Sequence, residues 1–256
     1  IECAMSTNDA LLYEVSDGIA TITINRPDSR NALNAAVRNG ISSSLDSFNR
    51  NDRAKVLIIT ATGNIAFSAG ADLKEMSEEH LTIPPDDFIS DLASHKPVIA
   101  AVNGAALGGG FFLAQSADLV VAASHATFGI TEARYGRGAP WAAPLPLLIS
   151  PRIALELLMT AQPISAFRAQ NVGLVNFVVP SGELSSTSRA LAEQIAANAP
   201  LSVAAGKAMV RGTLQSILGD GRQRANEIWN PVYLSEDAQE GPLAFKEKRS
   251  PRWHGR

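Results

Sequence analysis

Two glycine-bearing loops carry the residue types that could do chemistry, "FSAGADLKEM" at residues 67–76 and "NGAALGGGFFLAQ" at residues 103–115. Side chains are nearly absent at their turns, which hold Ala69, Gly70 and Ala71 in the first and Gly108, Gly109 and Gly110 in the second. Small residues let a ligand touch backbone N–H groups directly. A helix starting behind such a turn adds unpaired donors and about half a positive charge. Two turns of this kind facing one cleft would form an oxyanion hole, which stabilises negative charge developing on a carbonyl oxygen. The competing reading is that the glycines only let a helix pack closely on a strand, and spacing alone leaves both open. Phosphate-binding signatures are missing: no Gly-Lys-Ser/Thr follows the glycines, and no G-x-G-x-x-G follows a first strand.

Carboxylates are the second ingredient. Between residues 97 and 150 the only ones are Asp118 and Glu132. By itself Glu132 reads as a surface acid. The histidines His80, His95, His125 and His254 have no paired spacing, so no metal site is expected.

The elements that must position these loops follow from periodicity. Residues 11–15 and 19–25 alternate around Asp17-Gly18, the pattern of a β-hairpin. Asn34 is a plausible cap for a helix over 35–50, whose buried stripe is Val37, Ile41, Leu45 and Phe48. Residues 56–60 and 98–102 are short continuous apolar runs, the look of buried strands, and each precedes one glycine loop. A helical stretch is expected near 85–95, stopping at Lys96-Pro97, with further strands at 119–122 and 126–128. Ser165 caps a helix leading to the strand "LVNFVV", and from about residue 183 onward the pattern is helical. Strand and helix alternate and then give way to an all-helical tail, which argues for α/β layering.

Composition bounds the function classes. The chain has 256 residues, 46% hydrophobic and 18% charged, with a net charge of -3, so no basic field for nucleic acid exists. No apolar run approaches the roughly 20 residues of a membrane span. The single cysteine, Cys3, excludes an intramolecular disulfide and suits a reducing, cytoplasmic compartment. No signal peptide is visible, and Met5 looks like a natural start, so residues 1–4 are expected to be extraneous or an extended start.

The pairing of "FSAGADLKEM" with "KPVIAAVNGAALGGG" closely resembles the enoyl-CoA hydratase/isomerase (crotonase) superfamily. The resemblance runs on through "NRPDSRNALN", "ADLVVAASHATFGITEA", "ISAFRAQNVGLVNFVV" and "AFKEKRSP", in the family's order, from about residue 11 to the end. It implies an α/β fold, a spiral of repeated β-β-α turns with a C-terminal helical region that forms homotrimers, often paired into hexamers. The implied division is an N-terminal stretch over 1–9 expected to be disordered or extraneous, a spiral core with the acyl-CoA site over 10–195, and a helical oligomerisation region over 196–256. No separate cofactor is implied, because coenzyme A is part of the substrate, an acyl-CoA thioester.

The resemblance also assigns residues. The oxyanion donors fall on the Ala71 and Gly109 N–H groups, and Gly70, Asp72, Leu73 and Gly108 beside them are implied to bind the acyl-CoA. Arg30, Ala32 and Leu33 should lie along the CoA, and Ala69 should border its adenine and pantetheine. Phe245 and Lys248 fall where a basic tail, sometimes from a neighbouring subunit, meets the CoA end. Asp118 is read as structural.

Hydratases of the family carry two glutamates, one placed two residues after the third glycine and one twenty residues later. Here those positions hold Phe112 and Glu132. Phenylalanine neither orients nor deprotonates water. A single carboxylate suits a 1,3-proton shift instead, taking a proton from carbon 2 of a 3-enoyl-CoA and returning it at carbon 4. The sequence therefore points to a Δ3,Δ2-enoyl-CoA isomerase with Glu132 as its base, its pKa raised by an apolar pocket that Phe112 and Trp141 shape. The segment "GRGAPWAAP" supports this, being closer to the loop of some isomerases than to that of the hydratases. The rivals are a hydratase with a second acid from residues 75–90 (Glu75, Glu78, Glu79, Asp86 or Asp87), a carbon–carbon bond hydrolase, and a non-catalytic acyl-CoA binder.

Overall fold

The computed structural model describes residues 9–72, 75 and 92–256. Two sheets organise the chain. The first has six strands in the order β1-β2-β3-β5-β7-β10, namely Leu11–Ser16, Ile19–Ile24, Val56–Ala61, Val98–Val102, Leu119–Ala123 and Phe177–Val179. The hairpin of β1 and β2 is antiparallel, and every other pairing in this sheet is parallel. Asp17 and Gly18 close the hairpin at φ 51° and 77°, the two left-handed positions of a tight two-residue turn. The central strands β3 and β5 are buried almost throughout, as their continuous apolar runs require when both faces are covered.

The second sheet is smaller, with the order β4-β6-β8-β9: Ala66–Ser68, Ala105–Leu107, Thr127–Gly129 and Ile164–Ser165. Strands β4, β6 and β8 are parallel to one another. The chain crosses from the first sheet to the second three times, from β3 to β4, from β5 to β6 and from β7 to β8. That alternation is the repeated turn of a spiral. Its consequence is local: the C-terminal ends of β4, β6 and β8 lie side by side, β4 and β6 running into the two glycine loops and β8 into the segment that holds Glu132.

Helix α1 (Ala35–Arg50) begins at Asn34, whose side chain accepts the Val37 N–H at 3.1 Å, and buries Val37, Ile41, Leu45 and Phe48 against the β1–β2 hairpin. Helix α2 (Gly109–Ser116) follows β6 directly. Short helices α3 (Leu145–Leu148), α4 (Pro151–Thr160) and α5 (Ala166–Asn171) follow, the last capped by Ser165. Helix α6 (Leu184–Ala196) covers β3, β5 and β7. The tail consists of α7 (Pro200–Leu218), α8 (Gly221–Leu234) and α9 (Glu236–Lys246). Asp118 is structural: it accepts the Val98 N–H at 2.8 Å and ion-pairs with Lys207 at 2.6 Å and Arg211 at 2.9 Å, fastening α7 to the strands.

Two expectations about elements need correction. Residues 92–95 are not helical, and the expected helix otherwise lies outside the described residues. The strand expected over "LVNFVV" spans only Phe177–Val179, because the Asn176 side chain takes the Val120 N–H at 2.8 Å and interrupts the ladder.

Candidate active site

The three strand ends meet through glycine. Gly70, at φ 90°, lies so close to the second loop that a Cβ there would stand 2.9 Å from the Leu107 carbonyl oxygen and 3.1 Å from the Gly109 nitrogen. Gly108, at φ 53° and ψ -120°, precedes α2 without a side-chain cap. Its N–H is spent on the Gly129 carbonyl at 2.9 Å, and a Cβ there would stand 3.1 Å from Glu132 Oε1. So the Ala69–Ala71 turn touches the Gly108–Gly109 turn, which in turn touches the Glu132 carboxylate. Only residues without side chains permit that approach. Among the described residues neither the Ala71 nor the Gly109 N–H donates a hydrogen bond, and the Gly109 N–H belongs to the first turn of α2, where donors lack intrahelical partners.

Glu132 starts a short 3-10 turn, Glu132–Tyr135, three residues beyond β8. Its Oε2 is buried and has no hydrogen-bond partner among the described residues. Burial pushes its pKa up to about 7, while the backbone N–H groups of Glu132 and Thr131 and the Trp141 indole N–H pull the other way. Phe112 is 6% exposed and meets Trp141 at a tilt, ring centroids 5.7 Å apart, and Trp141 also meets Phe111 at 5.9 Å. Gln115 of α2 donates to the Trp141 carbonyl at 3.3 Å, fixing this aromatic wall from the same helix. The position two residues after the third glycine is thus apolar and packed.

The strip expected to lie along CoA adjoins the first turn. Leu33 donates to the Gly70 carbonyl at 2.8 Å and bridges Ala71, and Ala69 donates to the Arg30 carbonyl at 3.0 Å. Arg30 is exposed at φ 51°, whereas Ala32 and Leu33 are buried. Asn31 does the holding: it is buried, its Nδ2 donates to the carbonyls of Thr62 and Ala66, and its Oδ1 accepts the Arg26 N–H. Nothing adjacent in the sequence marks this role, because the carbonyls Asn31 holds lie 31 and 35 residues away.

The C-terminal helices of the same chain pack on the Glu132 segment. The Phe245 ring meets Tyr135 edge-on at 5.7 Å, and Gly241 lies directly on the Tyr135 carbonyl. Buried Tyr233 donates to the Gly138 carbonyl at 3.0 Å, and the Arg137 guanidinium lies 5.1 Å over its ring. Burial pushes the Tyr233 pKa up to about 12, and the nearby Glu132 carboxylate adds to the effect against the Arg137 charge. Neither Arg137 nor Tyr233 was singled out from sequence, since only the folding back of α8 brings them together. Lys248 is exposed at φ 55°.

One expected acid points elsewhere. Glu75 does not reach toward the glycine turn: its Oε1 accepts the Ala35 N–H and its Oε2 pairs with Arg38, both at 2.9 Å. Asp72 pairs with Arg26 at 2.9 Å. Leu73, Glu78, Glu79, Asp86 and Asp87 lie outside the described residues. Among the described residues no group of three or more His, Cys, Asp or Glu is arranged to hold a metal ion, and no helix is long and apolar enough to cross a membrane.

A two-sheet spiral with a helical C-terminal region defines the class, an α/β fold of the crotonase type. The family described as enoyl-CoA hydratase/isomerase matches residues 14–256, and the chain belongs to that family. It is 40% identical over 254 residues to a carnitinyl-CoA dehydratase of Salmonella typhi, covering 93% of this chain and 95% of that one. The crystal structure of a carnitinyl-CoA hydratase from Mycobacterium avium superposes with a TM-score of 0.88 at 38% identity, over 97% of this chain and all of the other. An enoyl-CoA hydratase from Mycobacterium tuberculosis H37Rv superposes with a TM-score of 0.81 at 34% identity, over 89% of this chain and all of the other.

Proposed function

We propose that the chain moves a proton beside an acyl-CoA thioester, with Glu132 as proton carrier and the Ala71 and Gly109 N–H groups holding the enolate oxygen. The reaction favoured is the shift of a 3-enoyl to a 2-enoyl thioester. One observation carries this reading: a single carboxylate adjoins the glycine turn among the described residues, facing an apolar wall at Phe112 and Trp141. Removing a proton from carbon 2 leaves a dienolate whose charge rests mostly on the thioester oxygen. A carboxyl with a pKa near 7 has both its forms accessible near neutral pH, the carboxylate to take that proton and the acid to return it, while the oxyanion donors offset the weak acidity of carbon 2. Water, which hydration needs, gains no orienting carboxylate from Phe112. CoA would run along Arg30, Ala32, Leu33 and Ala69, with Phe245 and Lys248 toward its far end.

A second reading is dehydration of a 3-hydroxyacyl thioester and its reverse, favoured by the names of the relatives, carnitinyl-CoA dehydratase and hydratase. One carboxyl could serve both steps of a same-face elimination, taking the carbon 2 proton and passing it to the departing hydroxyl. The deciding experiment follows both reactions on one preparation. Isomerisation faster than hydration is expected, and the opposite order would overturn the isomerase reading.

We further propose that the working form is a homotrimer or a pair of trimers. Helix α7 buries no residue, and its Leu201, Met209 and Ile217 are 85%, 68% and 64% exposed. An apolar face of that size on a 19-residue helix suits a second copy of the chain.

A further inference from the structure

We propose that Arg26 and Arg38 are positioning residues for the oxyanion turn, tying the seat of the CoA strip to the orientation of the Ala71 N–H; the inference rests on the acyl-CoA reading above. Each arginine has two grips. Arg26 Nη1 donates to the Ala32 carbonyl at 2.7 Å and to Asp72 Oδ2 at 2.9 Å. Arg38 Nη1 donates to the Leu33 carbonyl at 2.9 Å and to Glu75 Oε2 at 2.9 Å. Each therefore joins a carbonyl of the strip to a carboxylate just beyond Ala71. Between these two arms run the backbone bonds from Leu33 to Gly70 and from Ala69 to Arg30.

A turn made of Ala69, Gly70 and Ala71 has no side chains able to hold it, and Gly70 at φ 90° adds freedom. An oxyanion donor works by being aimed before the charge develops, and a misplacement of about 1 Å costs on the order of 10² in rate. The restraint must come from the flanks: on one side buried Ser68 accepts the Gly70 N–H on its Oγ at 3.1 Å, and on the other Asp72 and Glu75 are anchored by the two arginines. The four side chains are only 14% to 22% exposed, so these charge-assisted pairs are partly shielded and fix geometry better than open-surface pairs. Glu75 is fully committed, since its other oxygen caps the first turn of α1 at Ala35.

The test uses the full chain and acetoacetyl-CoA, a β-keto thioester whose enolate absorbs in the near ultraviolet. Three quantities are read: the pH at which the bound enolate band appears, the kcat of isomerisation, and the affinity for free CoA. In Arg38→Met and Glu75→Gln we expect the band to appear about one pH unit higher, a tenfold loss of enolate stabilisation. The kcat should fall about tenfold, while free CoA binds within about twofold of wild type. Arg38→Lys, which keeps the charge but not the two-armed grip, should recover part of both losses. An unshifted band and unchanged kcat in Arg38→Met, with its Tm preserved, would overturn the proposal. So would CoA affinity falling in step with the enolate, which is the mark of a merely structural role. If Arg38→Met does not fold, Asp72→Asn decides by the same readings. A wild-type protein that binds CoA yet gives no enolate band removes the acyl-CoA enolate reading, and the proposal with it.

Discussion

Glu132 concentrates the chemistry in one side chain. Its pKa is raised on folding, from an ordinary carboxylate value of 4.5 to about 7, because burial disfavours the charge. The sign of the linkage follows. Below about pH 4.5 the group is neutral in both states and costs nothing; as pH rises to about 7 the unfolded chain ionises first, and folding becomes progressively less favourable. Glu132→Gln should therefore be more stable than wild type at pH 8 by about 3 kcal/mol, with no such gain at pH 4, as thermal unfolding at the two pH values would read. The same variant should lose about 10²–10⁴ in isomerisation rate. In the wild type, kcat/KM should rise with pH up to about 7 and then level, because the first proton needs the ionised carboxylate. Phe112→Glu should raise the ratio of hydration to isomerisation, read by assaying both substrates, at a cost in stability from a carboxylate buried against Trp141.

At the scale of elements, the site depends on three short strands whose ends are neighbours. Strands β4 and β6 have three residues each, too few for an alternation to register as a strand signal, whereas β8, equally short, was legible to within one residue from the stretch at 126–128. The long runs at β3 and β5 were legible because burial on both faces demands apolar residues throughout. The Asn34 and Ser165 caps were legible because their chemistry is local. Gly70→Ala tests the contact between turns: the new Cβ would press on the Leu107 carbonyl from a backbone at φ 90°. It should cost roughly 1–3 kcal/mol of stability, measured by denaturant unfolding, and lower the isomerisation rate more than tenfold.

The whole molecule adds what no single loop supplies. Tyr233 and Gly241 bring α8 and α9 onto the Glu132 segment, so the tail shapes a site formed far earlier in the chain. Helix α7 instead turns its apolar residues outward, while Lys207 and Arg211 on its other side pair with Asp118. A double variant, Met209→Lys with Ile217→Lys, should convert a trimer to smaller species in sedimentation velocity, leaving the helical circular dichroism close to wild type. An unchanged sedimentation coefficient would remove α7 from the interface.

By itself the sequence determined the layered α/β class, the two glycine turns, the family, and the departure at Phe112, because each is written in residues adjacent along the chain. It also left Glu75 as a candidate acid and said nothing of Asn31, Arg26 or Arg38. Only the tertiary structure decided those roles. A carboxylate is an acid in a reaction or a cap on a helix according to which donors surround it, and the donors on Glu75 lie 37 and 40 residues away in the sequence. Likewise the raised pKa of Glu132 is a property of what buries it, and that enclosure exists only once the ends of three strands have been brought together.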